Sequence, residues 1–144
     1  MAAALLDASL IALLGVVTVS DLRTRLLPDS ALVASLAIAV TVCLLSDPGA
    51  MPERLVAGLG AGGFLLAAAL IRPSGMGLGD VKLAGVLGIY LGTAVIEAMV
   101  IAFAAGSVAG LALLARHGWE ARSRTIPFAP FLALGALVAM APQP

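Results

Sequence analysis

The sequence predicts an all-α protein, a polytopic integral membrane bundle of about six transmembrane helices with both termini outside the cytoplasm. Three observations carry this expectation. First, 62% of the 144 residues are hydrophobic and 11% charged, with a mean hydropathy of +1.14. A soluble domain holds about 25% charged and about 45–50% apolar residues. Second, breaks in the hydropathy divide the chain into six apolar runs. Third, the basic residues fall on one side of those runs when they are taken in order. A chain this small cannot hide so much apolar surface, so lipid is the solvent for most of it. Its length suits one transmembrane domain over residues 1–144. The net charge of zero points to no nucleic acid.

The runs cover residues 3–20, 29–46, 55–71, 81–96, 98–115 and 126–141. Each has about 16–18 residues, at the short end of the roughly 17–25 that cross a bilayer. The first run resembles a secretory signal, but it lacks a basic start and Asp7 interrupts it. Arg23 and Arg25 follow it, which suits a first span with its N-terminus outside. Runs four and five are separated only by Glu97, with Gly92 and Thr93 just upstream. One long buried hairpin with its turn elsewhere therefore stays open as an alternative. The segments between runs, DLRTRLLP, DPGAMPER, RPSGMGLGD and RHGWEARSRT, carry the prolines and charges of loops.

Orientation follows from the eight basic residues. Arg23, Arg25, Arg72, Lys82, Arg116, Arg122 and Arg124 fall on one side, and Arg54 alone on the other. The positive-inside rule makes the first side cytoplasmic. Glycines four apart, at Gly58 and Gly62, Gly88 and Gly92, and Gly106 and Gly110, are expected to let helix backbones approach closely in lipid.

The acids divide by position. Asp47, Glu53, Glu97 and Glu120 read as solvated loop charges, and Asp7 as a group near the outer end of run one. Asp21, Asp29 and Asp80 lie at the cytoplasmic ends of runs one, two and four. Asp21 closes one run and Asp80 opens another, so both sit at similar depth on one side. Ionisable groups at such depth face the bundle interior or a wet cavity. Two carboxylates brought together there share a proton. One can then activate water while the other, protonated, polarises a scissile amide. That route needs no metal and no cofactor. The one cysteine, Cys43, reads as a buried small hydrophobe, and there is no Cys-x-x-Cys pair.

Gly75, Gly77 and Gly79 permit positive φ and close backbone approach, so an extended peptide can lie beside Asp80. The bland alternatives are helix caps: Asp80 as the N-cap of run four and Asp29, after Pro28, as the N-cap of run two. Asp21 resists that explanation, since a helix C-terminus disfavours an anion. Something must offset it, through Arg23, Arg25 or protonation. His117 reads as a solvated loop residue and Trp119 as an interfacial anchor. Ser20 and Ser123 lack a paired base in a nucleophile motif.

Three segments together resemble the type IV prepilin peptidases, membrane aspartyl peptidases with a Gly-x-Gly-Asp motif. They are Asp21-Leu22-Arg23-Thr24-Arg25-Leu26-Leu27-Pro28-Asp29, Gly77-Leu78-Gly79-Asp80-Val81-Lys82-Leu83 and Ile126-Pro127-Phe128-Ala129-Pro130-Phe131. The family usually has Gly where Ala129 stands. The resemblance covers nearly the whole chain and implies that Asp21 and Asp80 are the catalytic pair. It implies a prepilin or pseudopilin substrate, cut between a basic leader and an apolar helix at the cytoplasmic face of the bacterial inner membrane. Asp29, by its sign and position, is expected to meet a basic leader residue. Gly77, Gly79 and Lys82 complete the expected substrate-binding set. Bifunctional members carry an added cytoplasmic domain, often with paired cysteines, before the first aspartate. Only 20 residues precede Asp21, so the expectation is the short form, similar to the peptidases of tight-adherence pili, without methyltransferase activity.

Two readings from other classes compete. A transporter or channel subunit would bind cations on its buried acids, but such sites lie near the bilayer midplane on broken helices. A structural membrane component would use its aspartates only as caps.

Overall fold

The computed structural model describes residues 1–123 and 126–141. Among these residues it holds six α-helices and no strand. They are α1 (Ala2–Thr24), α2 (Asp29–Ser46), α3 (Met51–Ile71), α4 (Leu78–Leu91), α5 (Val95–His117) and α6 (Ala129–Met140). Arg124 lies outside the described residues. Ala2–Thr24, Asp29–Ser46 and Pro48–Ile71 are each long and apolar enough to cross a membrane. So is the stretch Leu78–Arg122, which a turn divides into α4 and α5. The molecule is an all-helical membrane bundle, as its composition predicts.

Several boundaries differ from the apolar runs, for physical reasons. The fourth and fifth runs do not break at Glu97. They break at the 3-10 turn Gly92–Ala94, where Gly92 takes φ 59 and ψ −137. That conformation is open to glycine and strained for other residues. Glu97 sits in the first turn of α5, and Glu53 in the first turn of α3, where the helix dipole favours an anion. Glu53 Oε1 accepts the Thr93 backbone N–H at 3.4 Å. At 14 and 12 residues, α4 and α6 extend about 21 and 18 Å, short of the roughly 30 Å hydrocarbon layer. Both aspartates lie inside helices, because α1 runs past Asp21 and α4 begins before Asp80.

Contacts between helices fix their directions. Arg54, at the start of α3, donates to the carbonyl oxygens of Ile89 (2.9 Å) and Tyr90 at the end of α4, so these two helices are antiparallel. Asp29 and Lys82 join the starts of α2 and α4, which are therefore parallel. Ser9 in the first half of α1 meets Tyr90 near the end of α4. Gly135 lies against Ala98, and Gly106 against Phe128, so α5 and α6 are antiparallel. The helices alternate in direction, with the ends of α1, α3 and α5 and the starts of α2, α4 and α6 sharing one end. Arg54, the exception to the charge asymmetry, is accounted for by structure, since it caps the free carbonyls of the short α4.

The core is built from Val17, Leu65, Leu83, Leu87 and Leu132, while Leu45, Leu59, Leu70 and Val108 are exposed and apolar. Core and surface are thus equally apolar, so partition from water cannot drive helix association here. Close packing does. Gly58 and Gly62 of α3 face Gly85 and Gly88 of α4. A Cβ added at Gly58 would stand 2.8 Å from the Gly85 carbonyl oxygen, and one at Gly88 would meet the backbone of Gly58. Of the other expected pairs, Gly92 forms the turn instead, and Gly110 has nothing within 4 Å of an added Cβ.

Gly88→Ala is expected to lower unfolding stability by about 1–3 kcal/mol in detergent micelles, because rigid backbone must move apart. Gly63→Ala has nothing within 4 Å and is expected to match or exceed wild type by about 0.5–1 kcal/mol. Reversible denaturation followed by far-UV circular dichroism checks both.

Candidate active site

Asp21 occupies the last turn of α1, on the face of Leu10, Leu13, Leu14 and Val17 that the helix buries. It is 5% exposed. The helix ends at Arg25 in the left-handed conformation (φ 56), with the Arg25 N–H donating to the Asp21 backbone oxygen at 3.0 Å. Glycine usually takes this capping position. Here an arginine holds it, close enough for its charge to act on the Asp21 carboxylate. The second support comes from α6. Phe128 is its N-cap and Pro130 has no N–H, while the N–H groups of Phe131 and Leu132 turn to the Phe128 oxygen. The remaining free amide, that of Ala129, interacts with the Asp21 carboxylate. The C-terminal penalty on Asp21 is thus offset by the N-terminus of another helix.

Asp80 is 8% exposed. It is not an N-cap: Gly77 holds that position in extended conformation (φ −79, ψ 147), which places Asp80 third in the helix. From there its backbone N–H donates to the Gly77 oxygen at 3.2 Å. Its carboxylate reaches back towards the Gly77 amide, the return half of a capping box, since a glycine N-cap has no side chain to supply the other. The remaining interaction of the Asp80 carboxylate is with Asp21, close enough for the two charges to act on each other. Each carboxylate keeps one buried oxygen without a hydrogen-bond partner, Oδ2 of Asp21 and Oδ1 of Asp80. Buried orphan acceptors are rare and mark places where a water or ligand group completes the bonding.

The other expected site residues fare differently. Gly77 is exposed, with only the Asp80 Oδ2 (3.8 Å) and the Gly79 nitrogen (4.0 Å) near an added Cβ. Its φ is negative, so it does not use the left-handed freedom expected of it. Gly79 lies inside α4, and Leu27 fills the space above it. Asp29 is the first residue of α2, with Pro28 rather than itself as N-cap and no side-chain capping bond. Its Oδ1 accepts from Lys82 Nζ at 2.9 Å, so these two residues engage each other. His117 and Trp119 are exposed, and the Arg122 guanidinium lies 4.4 Å from the Trp119 ring centroid. Cys43 is buried in α2. No group of three His, Cys, Asp or Glu side chains able to hold a metal occurs among the described residues.

Two features escaped the reading of the sequence. The Ala129 amide was signalled by Pro130, a residue suited to a helix start, ahead of the last apolar run. The sole tyrosine, Tyr90, is buried and donates to the Ser35 carbonyl oxygen at 2.9 Å, with Ser9 Oγ at 3.0 Å from its hydroxyl. A buried tyrosine hydroxyl inside an apolar run needs such partners, which was the available signal.

The fold and site together define a membrane helical bundle with two buried carboxylates, Asp21 and Asp80, towards one end. Residues 8–115 match the type IV leader peptidase family, and the chain belongs to that family. The matched range contains Asp21, Asp29, Asp80 and Lys82 and stops before α6. The chain is also similar to a prepilin leader peptidase/N-methyltransferase of Bacillus subtilis (strain 168), with 31% identity over 130 residues. That alignment covers 90% of this chain and 52% of the relative, so the chain spans about half the relative's length. No solved structure matches.

Gly77→Ala is expected to leave stability within about 0.5 kcal/mol, since the space is open and the backbone ordinary. Gly79→Ala places a Cβ 3.1–3.2 Å from Leu27 and is expected to cost about 1 kcal/mol or more. Denaturant midpoints of the two variants, compared side by side, decide this.

Proposed function

We propose that the chain is an aspartyl endopeptidase that removes the basic leader from type IV prepilins or pseudopilins. Family membership supports the peptidase class, and the similarity to a prepilin leader peptidase supports the substrate class. The observation that carries the mechanism is the buried pair: Asp21 and Asp80 act on each other, and each has an oxygen without a partner. In this reading the pair holds one proton and binds a water between the orphan oxygens. The ionised carboxylate takes a proton from that water as its oxygen attacks the scissile carbonyl carbon. The protonated carboxylate donates to the carbonyl oxygen. In the collapse of the tetrahedral diol the carboxylate that donated takes back a hydroxyl proton. The other gives the proton it took from water to the leaving nitrogen, and the C–N bond breaks, which leaves the pair again with one proton.

Gly77 supports the placement of substrate, because its exposed extended backbone leaves room for a peptide strand beside Asp80. The basic residues at the aspartate end suit the cytoplasmic face of the bacterial inner membrane, with six spans and both termini on the other side. The 144 residues hold no Cys-x-x-Cys pair, and the proposal for this stretch of chain is hydrolysis without N-methylation.

Asp21→Asn and Asp80→Asn are each expected to lower leader removal by about 10²–10⁴-fold, the usual worth of a general acid or base. Both variants are expected to insert and to unfold at denaturant concentrations no lower than wild type, since a buried charge is lost. Co-expression with prepilins, scored by gel mobility and N-terminal sequencing, is the assay. Full cleavage by either variant sinks the proposal. Cleavage is also expected to persist in EDTA and in thiol-blocking reagents, because the proposed chemistry uses two carboxylates alone.

A further inference from the structure

Two contacts tie the segment after Asp21 to the first turns of α4. Leu27, six residues beyond Asp21, covers Gly79: a Cβ added there would stand 3.1 Å from Leu27 Cδ1 and 3.2 Å from its Cβ. Asp29, eight residues beyond Asp21, pairs with Lys82 at 2.9 Å. Gly79 immediately precedes Asp80, and Lys82 follows it by two. The two contacts therefore flank Asp80 along α4, one on each side. They join parts of the chain that the sequence separates by about fifty residues, one from the connection between α1 and α2 and one from the first residue of α2.

We propose that Leu27 and the Asp29–Lys82 pair form a clip that sets the position of Asp80 relative to Asp21, so that Asp29 and Lys82 are positioning residues rather than substrate-binding ones. The clip rests on the dyad reading for its functional consequence, but its geometry stands independently. Its components are complementary. Leu27 can approach only because residue 79 has no side chain, which fixes how closely the connection lies on α4. The ion pair adds direction, since the carboxylate at the start of α2 and the ammonium on α4 restrict sliding along the helix. An exposed pair of this kind, with side chains 54% and 68% exposed, holds little free energy in water. Positioning needs little: displacement of a catalytic group by about 1 Å can cost on the order of a hundredfold in rate.

The charges make the clip testable by reversal. Asp29→Lys and Lys82→Asp are made singly and together. Spin labels on Leu22→Cys and Leu78→Cys, both 63% exposed and each beside the aspartate segments, report the separation of the two segments. A Cys43→Ala background removes the native thiol. The unreversed protein is expected to give one narrow distance distribution, each single reversal a broader or shifted one, and the double reversal one nearer the original than either single. Leader removal is expected to follow: about tenfold lower kcat in each single variant, and recovery to within about threefold in the double. Single reversals that leave the distances unchanged overturn the clip. So does a double variant no better than the worse single. A defect of Asp29→Lys that disappears when the leader's basic residues are replaced by glutamine overturns it too, because Asp29 would then be reading the leader. If wild type removes no leader at all, the dyad reading fails, while the distance measurements still decide the clip.

Discussion

Everything in this molecule depends on holding two carboxylates together inside an apolar bundle. Burying one charge is costly, and burying two of the same sign compounds it. Such an arrangement persists only where the surrounding packing over-determines it. The determinants lie mainly on α4. Its glycine face is locked against α3, where Gly58 approaches the Gly85 carbonyl too closely for any side chain. Its C-terminal carbonyls are held by Arg54. Its buried tyrosine bonds to α1 through Ser9 and to α2 through Ser35. Ser9 precedes Asp21 by 12 residues and Tyr90 follows Asp80 by 10. Over three helical turns of antiparallel packing, these offsets bring the two aspartates to matching depth.

The helix ends supply what the interior cannot. A carboxylate in the last turn of a helix opposes the macrodipole, and Asp21 is in that position. The free amide of Ala129 at the start of α6, with the Arg25 charge, favours the ionised carboxylate against the larger effect of burial. Asp80 lies on the favourable end of its own helix, bound back to Gly77. The aspartates are thus supported by different means, and α6 is drawn into the centre although it contributes no ionisable side chain. The Ile126–Phe131 segment gains a physical role from this. Phe128 and Phe131 pack together, and Phe128 packs on Phe103, which fixes the start of α6 and with it the direction of the Ala129 amide.

Much of this was legible in the sequence, and the limits of legibility are instructive. The all-helical class followed from composition, because lipid as solvent leaves few alternatives for the backbone. The charge asymmetry marked Arg54 as exceptional, but hydropathy carries no information on which carbonyls it would cap. The break between α4 and α5 was misplaced by a few residues. Glu97 interrupts hydropathy more visibly than Gly92, yet backbone conformation rather than charge makes the turn. The acids were separable into ordinary and unusual by position alone. What position could not show was mutual engagement. Asp29 and Lys82 each looked available to a substrate, and they meet each other across 53 residues.

The two ends of the bundle are tied in different ways. At the end away from the aspartates, the main ties are hydrogen bonds at least partly buried and anchored on backbone carbonyls: Arg54 to Ile89 and Tyr90, and Tyr90 to Ser35. At the aspartate end, α2 and α4 are joined by an exposed ion pair, and the α1–α2 connection by the contact of Leu27 over Gly79. Exposed pairs and single apolar contacts open at little free-energy cost, whereas buried hydrogen bonds do not. The aspartate end therefore has local freedom that the opposite end lacks. Buried bonds three turns away hold the helices in register, and the contacts at Gly79 and Lys82 act on the finer placement of the start of α4.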